Sequence, residues 1–120
     1  MEVPILRQGH VLIATVQAAL SDADLGQLRT ALIHQVVRSR AHGVILDVTA
    51  LDVMDSFAAK TLRELADMIR LRGGATVIVG IQPEVAFAMV QLGLRLEGIH
   101  TALDLDEGLE LLNKKTHRAS

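Results

Sequence analysis

The chain has 120 residues and a mass of 13.0 kDa, which is the size of a single domain. Half of its residues are hydrophobic, so it can bury a core and is not expected to be disordered. Its 12 basic and 14 acidic residues give a net charge of −2, which excludes the basic surplus of a general nucleic-acid-binding protein. The absence of cysteine excludes a disulfide scaffold, a thiolate zinc site and cysteine catalysis, and it fits a cytoplasmic location.

The ends of the sequence carry no membrane signal. The first residues lack the basic start of a signal peptide, and the longest apolar run, residues 85–90, is far shorter than the roughly 20 residues that span a bilayer. Residues from about 3 to 113 are expected to form one folded domain, and residues 114–120 a flexible basic tail.

Two short strands are predicted at the start of the chain. Val3–Leu6 and Val11–Val16 are rich in aliphatic and β-branched residues. The segment Gln8–His10 between them is too short for a crossover helix. The two strands are therefore expected to pair antiparallel as a hairpin.

The next segment predicts a helix followed by a buried strand. Ser21, with Asp24 three residues later, has the spacing of an N-cap and a near capping box, and aliphatic residues recur at helical spacing as far as Val36. Gly43 is expected to end this helix. The run Val44–Val48, apolar apart from one aspartate, predicts a strand covered on both faces.

A second helix and strand repeat this plan. Ser56 is expected to cap a helix that Gly73-Gly74 stops. The run Ala75–Val79 predicts another buried strand. Pro83 suits the start of a third helix, which is expected from about Glu84 to Leu92.

A last strand near Ile99–Leu103 precedes Asp104 and Glu107, whose spacing predicts the capped start of a final helix. Alternating strands and helices predict an α/β fold with a mostly parallel sheet, an antiparallel N-terminal edge strand and about four helices. Functional groups in such sheets collect beyond the carboxyl ends of the strands. The segments of interest are therefore Thr49–Phe57 and Gly80–Glu84.

The first of these segments is the more polar, and three interpretations of it compete. In a structural one, Ser56 caps the helix and Asp55 favours the positive end of its dipole. In a second, Asp47, Asp52 and Asp55 bind a hard cation such as Mg²⁺. In a third, Ser56 accepts a phosphate that the helix dipole tolerates, while Asp52 and Asp55 deepen a negative patch that repels a partner. The residues alone favour the structural interpretation.

Other chemistry is not indicated. The five histidines show no zinc-binding spacing, no nucleophile elbow is present, and the glycines form no phosphate-binding motif. Lys60, one turn after Ser56, is expected to be a solvated helix residue. No catalytic residue, metal or cofactor is expected.

Several segments together resemble a known family. Val44–Val48, the turn Met54–Phe57 and Gly80–Pro83 are similar to the STAS domain of anti-sigma factor antagonists. With residues 92–94 and 101–105, the resemblance is strongest to the small scaffold proteins of the bacterial stressosome, the RsbS type. It runs over nearly the whole chain.

The resemblance implies a non-enzymatic protein that binds other proteins. Such scaffolds are expected to form homodimers and a large hetero-oligomer with larger STAS paralogues that carry N-terminal sensor domains (RsbR-like), and to hold a switch serine/threonine kinase (RsbT-like). Phosphorylation of the serine that matches Ser56 would release the kinase, and a serine phosphatase (RsbX-like) would reset it. Asp55 would present Ser56, and Asp52 and Phe57 would lie on the partner surface. This raises the phosphoacceptor interpretation above the structural one, and the two are compatible.

Two positions depart from related patterns. The sensor-bearing paralogues have a second phosphoacceptor threonine where this chain has Ala88, so one phosphorylation site is expected. Direct antagonists usually have threonine or serine and then Gly-Leu where this chain has Phe57-Ala58-Ala59. A simple antagonist that binds an anti-sigma kinase directly is therefore the weaker alternative. The alternative of another class is a nucleotide-binding or Mg²⁺-dependent, phosphatase-like enzyme using Asp47, Asp52 and Asp55.

Overall fold

The computed structural model describes the backbone of residues 3–17 and 20–119, and the side chains of these ranges as far as Lys114. Within them the chain forms one five-stranded sheet and four helices. The strands are β1 (Ile5–Gln8), β2 (Val11–Thr15), β3 (Gly43–Asp47), β4 (Ala75–Val79) and β5 (Ile99–Ala102). The helices are α1 (Asp22–Ser39), α2 (Ser56–Leu71), α3 (Pro83–Gln91) and α4 (Leu105–Ala119).

The strands lie in the sheet in the order in which they occur in the chain. The pair β1–β2 is antiparallel, and the pairs β2–β3, β3–β4 and β4–β5 are parallel. The predicted α/β architecture is therefore confirmed, including its antiparallel N-terminal edge. In the part of the chain that is described, no helix combines the length and the apolar character needed to cross a membrane.

Side chains of the central strands alternate between two cores. Val44 and Leu46 belong to the larger core, which contains the buried hydrophobic residues of α1, α2 and α3. Ile45 belongs to the smaller core on the other face, which α4 covers through Leu112. All three strand residues are at most 1% exposed, which confirms the prediction that β3 is covered on both faces.

The N-terminal hairpin forms, with its first strand shifted from the prediction. The sequence predicts Val3–Leu6, whereas β1 spans Ile5–Gln8. The reason is the pairing register, in which Gln8 lies opposite Val11 and leaves only a two-residue turn between the strands.

The predicted role of Gly43 at the end of α1 is wrong. The helix ends at Ser39, and Arg40 adopts the left-handed conformation with φ of 52° while its N–H donates to the Val36 carbonyl. Gly43 instead begins β3, where an added Cβ would lie 2.8 Å from the Leu112 methyl groups. The glycine therefore allows α4 to pack closely on the sheet.

The later elements agree with the prediction to within a residue at most of their ends. β4 is as predicted, and α3 begins at Pro83. The N–H of Glu107 donates to the Asp104 carboxylate at 2.9 Å, which confirms the capped start of α4. α4 continues to Ala119, past the boundary predicted at residue 113, and the flexibility of segment 114–120 stays a prediction.

Candidate functional site

The loop between β3 and α2, residues 48–55, lies beyond the carboxyl ends of the parallel strands. The Val48 N–H donates to the Val79 carbonyl at 3.0 Å, and the Leu51 N–H donates to the Val48 carbonyl at 2.9 Å. Val48 and Met54 are buried, whereas Asp52 and Val53 between them are exposed. The loop is thus fixed near both ends and presents its middle to solvent.

A second loop supports the first. One oxygen of Asp47 accepts hydrogen bonds from the Thr49 N–H at 3.0 Å and from the Thr49 hydroxyl at 2.6 Å. The Gln82 side-chain amide donates to the Thr49 carbonyl at 2.5 Å. Gly80 has φ of 75°, and a Cβ there would lie 3.1 and 3.2 Å from Thr49 Cβ and Cα. The two polar segments singled out in the sequence are therefore in contact.

The residue that caps α2 is Asp55, so the prediction that Ser56 is the cap is wrong. Asp55 is extended, with φ of −98° and ψ of 178°, and its carboxylate accepts a hydrogen bond from the Ala58 N–H at 2.8 Å. Aspartate and serine are both good caps, and the path of the loop makes Asp55 the last residue before the helix. Ser56 is consequently the first helical residue.

Ser56 therefore has a hydroxyl that the helix does not use. The residue is exposed, and its side chain makes no hydrogen bond to another of the described residues. All residues of α2 are described, and its first turn contains no acidic side chain. Since unpaired N–H groups and the helix dipole favour negative charge at this end, an anion on Ser56 is compatible with the fold.

The residues predicted to contact a partner lie on the surface on either side of Ser56. Asp52 is exposed, and Phe57 is 36% exposed. Val53 is 70% exposed, although no periodicity in the sequence identified it. The site therefore combines an exposed hydroxyl with exposed apolar side chains.

The three aspartates do not form the cation site that one interpretation required. Asp47 and Asp55 accept backbone N–H groups and have different structural roles. In residues 3–17 and 20–114, no group of three or more histidine, aspartate or glutamate side chains is arranged to hold a metal ion. His10 and His42 form an edge-to-face pair, with ring centroids 5.0 Å apart.

Three cations near Ser56 were not identified as a group from the sequence. A groove of about 210 Å³ lies between the first half of α2 and residues 92–95, and Lys60, Arg63 and Arg95 line it with Ser56. Arg63 donates to the carbonyls of Arg95 and Glu97. These contacts join residues more than 30 positions apart in the chain, so local spacing carries no signal for them.

Comparison with known proteins agrees with this geometry. The STAS domain family model matches residues 2–108. The chain is 31% identical over 87 residues to the RsbT co-antagonist protein RsbRA of Bacillus subtilis (strain 168), covering 72% of this chain and 32% of that protein. The chain spans about a third of the length of the first curated relatives it matches.

Two solved structures are similar over nearly their whole chains. A serine-to-glutamate variant of Moorella thermoacetica RsbS has a TM-score of 0.88 and 31% identity, covering 98% of this chain and 99% of that chain. A chain of the stressosome, described as a signal integration and transduction hub, has a TM-score of 0.83 and 33% identity, covering 94% and 98%. The protein belongs to the STAS domain family. Its fold is that of stressosome-type anti-sigma factor antagonists, which confirms the resemblance found in the sequence.

Proposed function

We propose that this protein is a non-enzymatic stressosome scaffold that binds a switch serine/threonine kinase and releases it when Ser56 is phosphorylated. The observation that carries the proposal is that Asp55 caps α2, so the exposed Ser56 hydroxyl is available for modification without loss of the cap. The match to RsbS over almost the full length of both chains supports the scaffold role. A relative named as a co-antagonist of RsbT supports the choice of partner.

The modification is a phosphoryl transfer to one oxygen. Ser56 Oγ attacks the γ-phosphorus of ATP bound to the kinase, ADP leaves, and the hydroxyl proton passes to a base of the kinase. The product carries about −1.5 to −2 charges at neutral pH. A serine phosphatase returns the hydroxyl by hydrolysis of the same ester.

The new charge alters the surface and not the core. Val53 and Phe57 are exposed apolar side chains near Ser56, and Asp52 already gives this surface a negative charge. A phosphate beside them increases the cost of removing water from the surface and repels acidic groups of a partner. Release of the kinase then requires no unfolding of the domain.

We also propose that the chain forms homodimers and assembles with larger RsbR-like paralogues. The similarity to a chain of the stressosome and to RsbRA supports this assembly. Light scattering of the purified chain, alone and mixed with such a paralogue, tests it. A dimer that becomes a much larger mixed particle is expected, and a chain that stays monomeric in the mixture contradicts the proposal.

Intact-mass spectrometry after incubation with ATP and a purified RsbT-type kinase tests the modification. The wild-type chain is expected to gain one phosphoryl group, Ser56→Ala none, and Ser21→Ala one. Ser21 is the matched control because it also lies at a helix start, where its hydroxyl already accepts a hydrogen bond. Unmodified wild-type protein beside a phosphorylated control substrate would contradict the proposal.

Binding to the kinase tests the second half of the proposal. The unphosphorylated chain is expected to retain the kinase on an affinity surface, and the phosphorylated chain to bind at least about tenfold more weakly, a loss typical of a charge placed in an interface. Equal binding of both forms contradicts release by phosphorylation. Preference for an anti-sigma kinase over an RsbT-type kinase would identify the simple antagonist instead.

A further inference from the structure

The charged residues that line the groove beside Ser56 are all positive. Its lining includes Lys60 and Arg63 from α2 and Arg95 from the segment after α3. Among the described residues that line it, none is acidic. The groove is therefore electrostatically matched to an anion placed at its Ser56 end.

The far wall of the groove is held in place by Arg63. Its side chain is only 11% exposed and donates to the carbonyls of Arg95 and Glu97 and to the Asp67 carboxylate, the last at 2.7 Å. Arg63 thus connects α2 to the segment 92–97. This connection positions Arg95 at the groove. Arg95 itself is exposed to solvent.

Two of the three cations have capacity for a new partner. Lys60 and Arg95 are exposed, and neither forms an ion pair with any residue in 3–17 or 20–114. Lys60 lies four residues after Ser56 on the same helix, so the two side chains are neighbours on its surface. An anion N-terminal to a lysine at this spacing is the more favourable orientation.

We propose that phosphoserine at position 56 is held within the same chain by Lys60 and Arg95, and that this phosphate latch ties the start of α2 to segment 92–97. The inference rests on the proposed phosphorylation of Ser56 and adds its intramolecular receptor. Phosphorylation then changes the surface in two ways. It adds a phosphate, and it engages two cations that a partner's acidic groups otherwise contact.

The test uses protein in which phosphoserine is incorporated at position 56 during translation, so that no kinase is needed. The pKa of the second phosphate ionisation is followed by phosphorus NMR, together with amide hydrogen exchange in residues 92–97. The variants are Lys60→Gln, Arg95→Gln and the double variant. The charged residues that line the groove or lie on the surface beside Ser56 are Asp52, Asp55, Lys60, Arg63 and Arg95. The matched control is Arg72→Gln, at the opposite end of α2.

The latch predicts a phosphate pKa about half a unit or more below its ordinary value near 6, because nearby cations favour the dianion. In the double variant the phosphate pKa should move most of the way back to its ordinary value, and in Arg72→Gln it should stay as low as in the wild-type chain. Exchange in 92–97 should slow several-fold on phosphorylation in the wild-type chain and in Arg72→Gln, and should not slow in the double variant. A lowered pKa that survives in the double variant assigns the effect to the helix terminus and overturns the latch. An unshifted pKa in the wild-type chain overturns it as well. A kinase that ignores Ser56 would contradict the proposed function without changing this measurement.

Discussion

The starts of α1 and α2 use similar residues in different order. At α1, Ser21 is the cap, its hydroxyl accepts the Asp24 N–H at 3.1 Å, and the Asp24 carboxylate accepts the Ser21 N–H at 3.1 Å. This closed capping box uses both side chains. At α2, the aspartate comes first and is the cap, and the serine follows it inside the helix. At α1 the serine hydroxyl therefore accepts a helix N–H, whereas at α2 the aspartate does so and the serine hydroxyl is not used by the helix.

The two helix starts also differ in how they are supported. The capping box at α1 joins residues three positions apart and needs nothing else. The loop that leads into α2 is held by Asp47 and by Gln82, which bonds Thr49 from 33 positions away. Ser56, the candidate switch serine, thus follows a loop that is held by residues at the ends of the strands. Ser21, by contrast, belongs to a local motif.

The largest expected effect comes from disrupting the contacts that hold the loop before α2. Gly80→Ala should lower the free energy of unfolding by at least about 2 kcal/mol, because the residue has positive φ and the new Cβ meets Thr49. Urea unfolding measures the change. Amide exchange should rise first in residues 48–57.

Gly26→Ala is the matched control for that substitution. Gly26 lies inside α1, nothing is within 4 Å of an added Cβ, and the change should stabilise the protein by about 0.5–1 kcal/mol. If the two alanine variants are equally stable, the close approach of Gly80 to Thr49 does not help to hold the loop between β3 and α2.

Removing either cap should have a smaller effect of similar size at the two helices. Ser21→Ala and Asp55→Ala each remove a side chain that accepts a backbone N–H, and each should cost about 1 kcal/mol. Asp55→Asn retains an acceptor and should recover most of the loss. Denaturant titration distinguishes these variants, and a neutral Asp55→Ala would show that Asp55 is not the cap.

Ser56→Ala should be nearly neutral, within about 0.5 kcal/mol of wild type, because the hydroxyl makes no hydrogen bond to another described residue. The comparison with Ser21→Ala is the sharpest test of the difference between the two helix starts. A cost for Ser56→Ala equal to that for Ser21→Ala would return Ser56 to a capping role. That result would remove the structural basis for an available hydroxyl.

Local signals account for most of the fold that could be predicted. Aliphatic runs such as Ala75–Val79 and the Ser21–Asp24 spacing depend on neighbours in the chain, and the structure confirms both. The polar segment after β3 was also found, because its residues stand between a buried strand and a helix.

The details of the site depend on distant contacts. Asp55 and Ser56 are adjacent and both suit a cap. The choice between them follows from the path of the loop, whose start is fixed by the contacts of Val48 with Val79 and of Thr49 with Gln82, each between residues more than 30 positions apart. The groove near Ser56 was missed for the same reason, since Arg63 reaches Arg95 across the fold. Residue types and spacing cannot encode such pairings directly.

The smallest expected effect is a pH dependence at α1. The largest influence that holds the pKa of Asp24 below its usual value of 3.8 is the hydrogen bond from the Ser21 backbone N–H, and the Ser21 hydroxyl also lowers it. A lowered folded-state pKa means that the carboxylate stabilises the fold above the unfolded value and that this contribution is lost as pH falls through the folded value. The stability difference between wild type and Asp24→Asn should therefore be constant near neutral pH and shrink below about pH 4.

Urea unfolding of both proteins between about pH 7 and pH 3 measures this difference, with Ser21→Ala as the second background. In that background the pH-dependent part should decrease without vanishing, since the backbone N–H of residue 21 remains while the hydroxyl is gone. A difference between wild type and Asp24→Asn that is the same at every pH would show that the carboxylate charge at α1 contributes nothing to the capping box. The closed box would then rest on its neutral hydrogen bonds alone, and the two helix starts would differ only in the position of the serine.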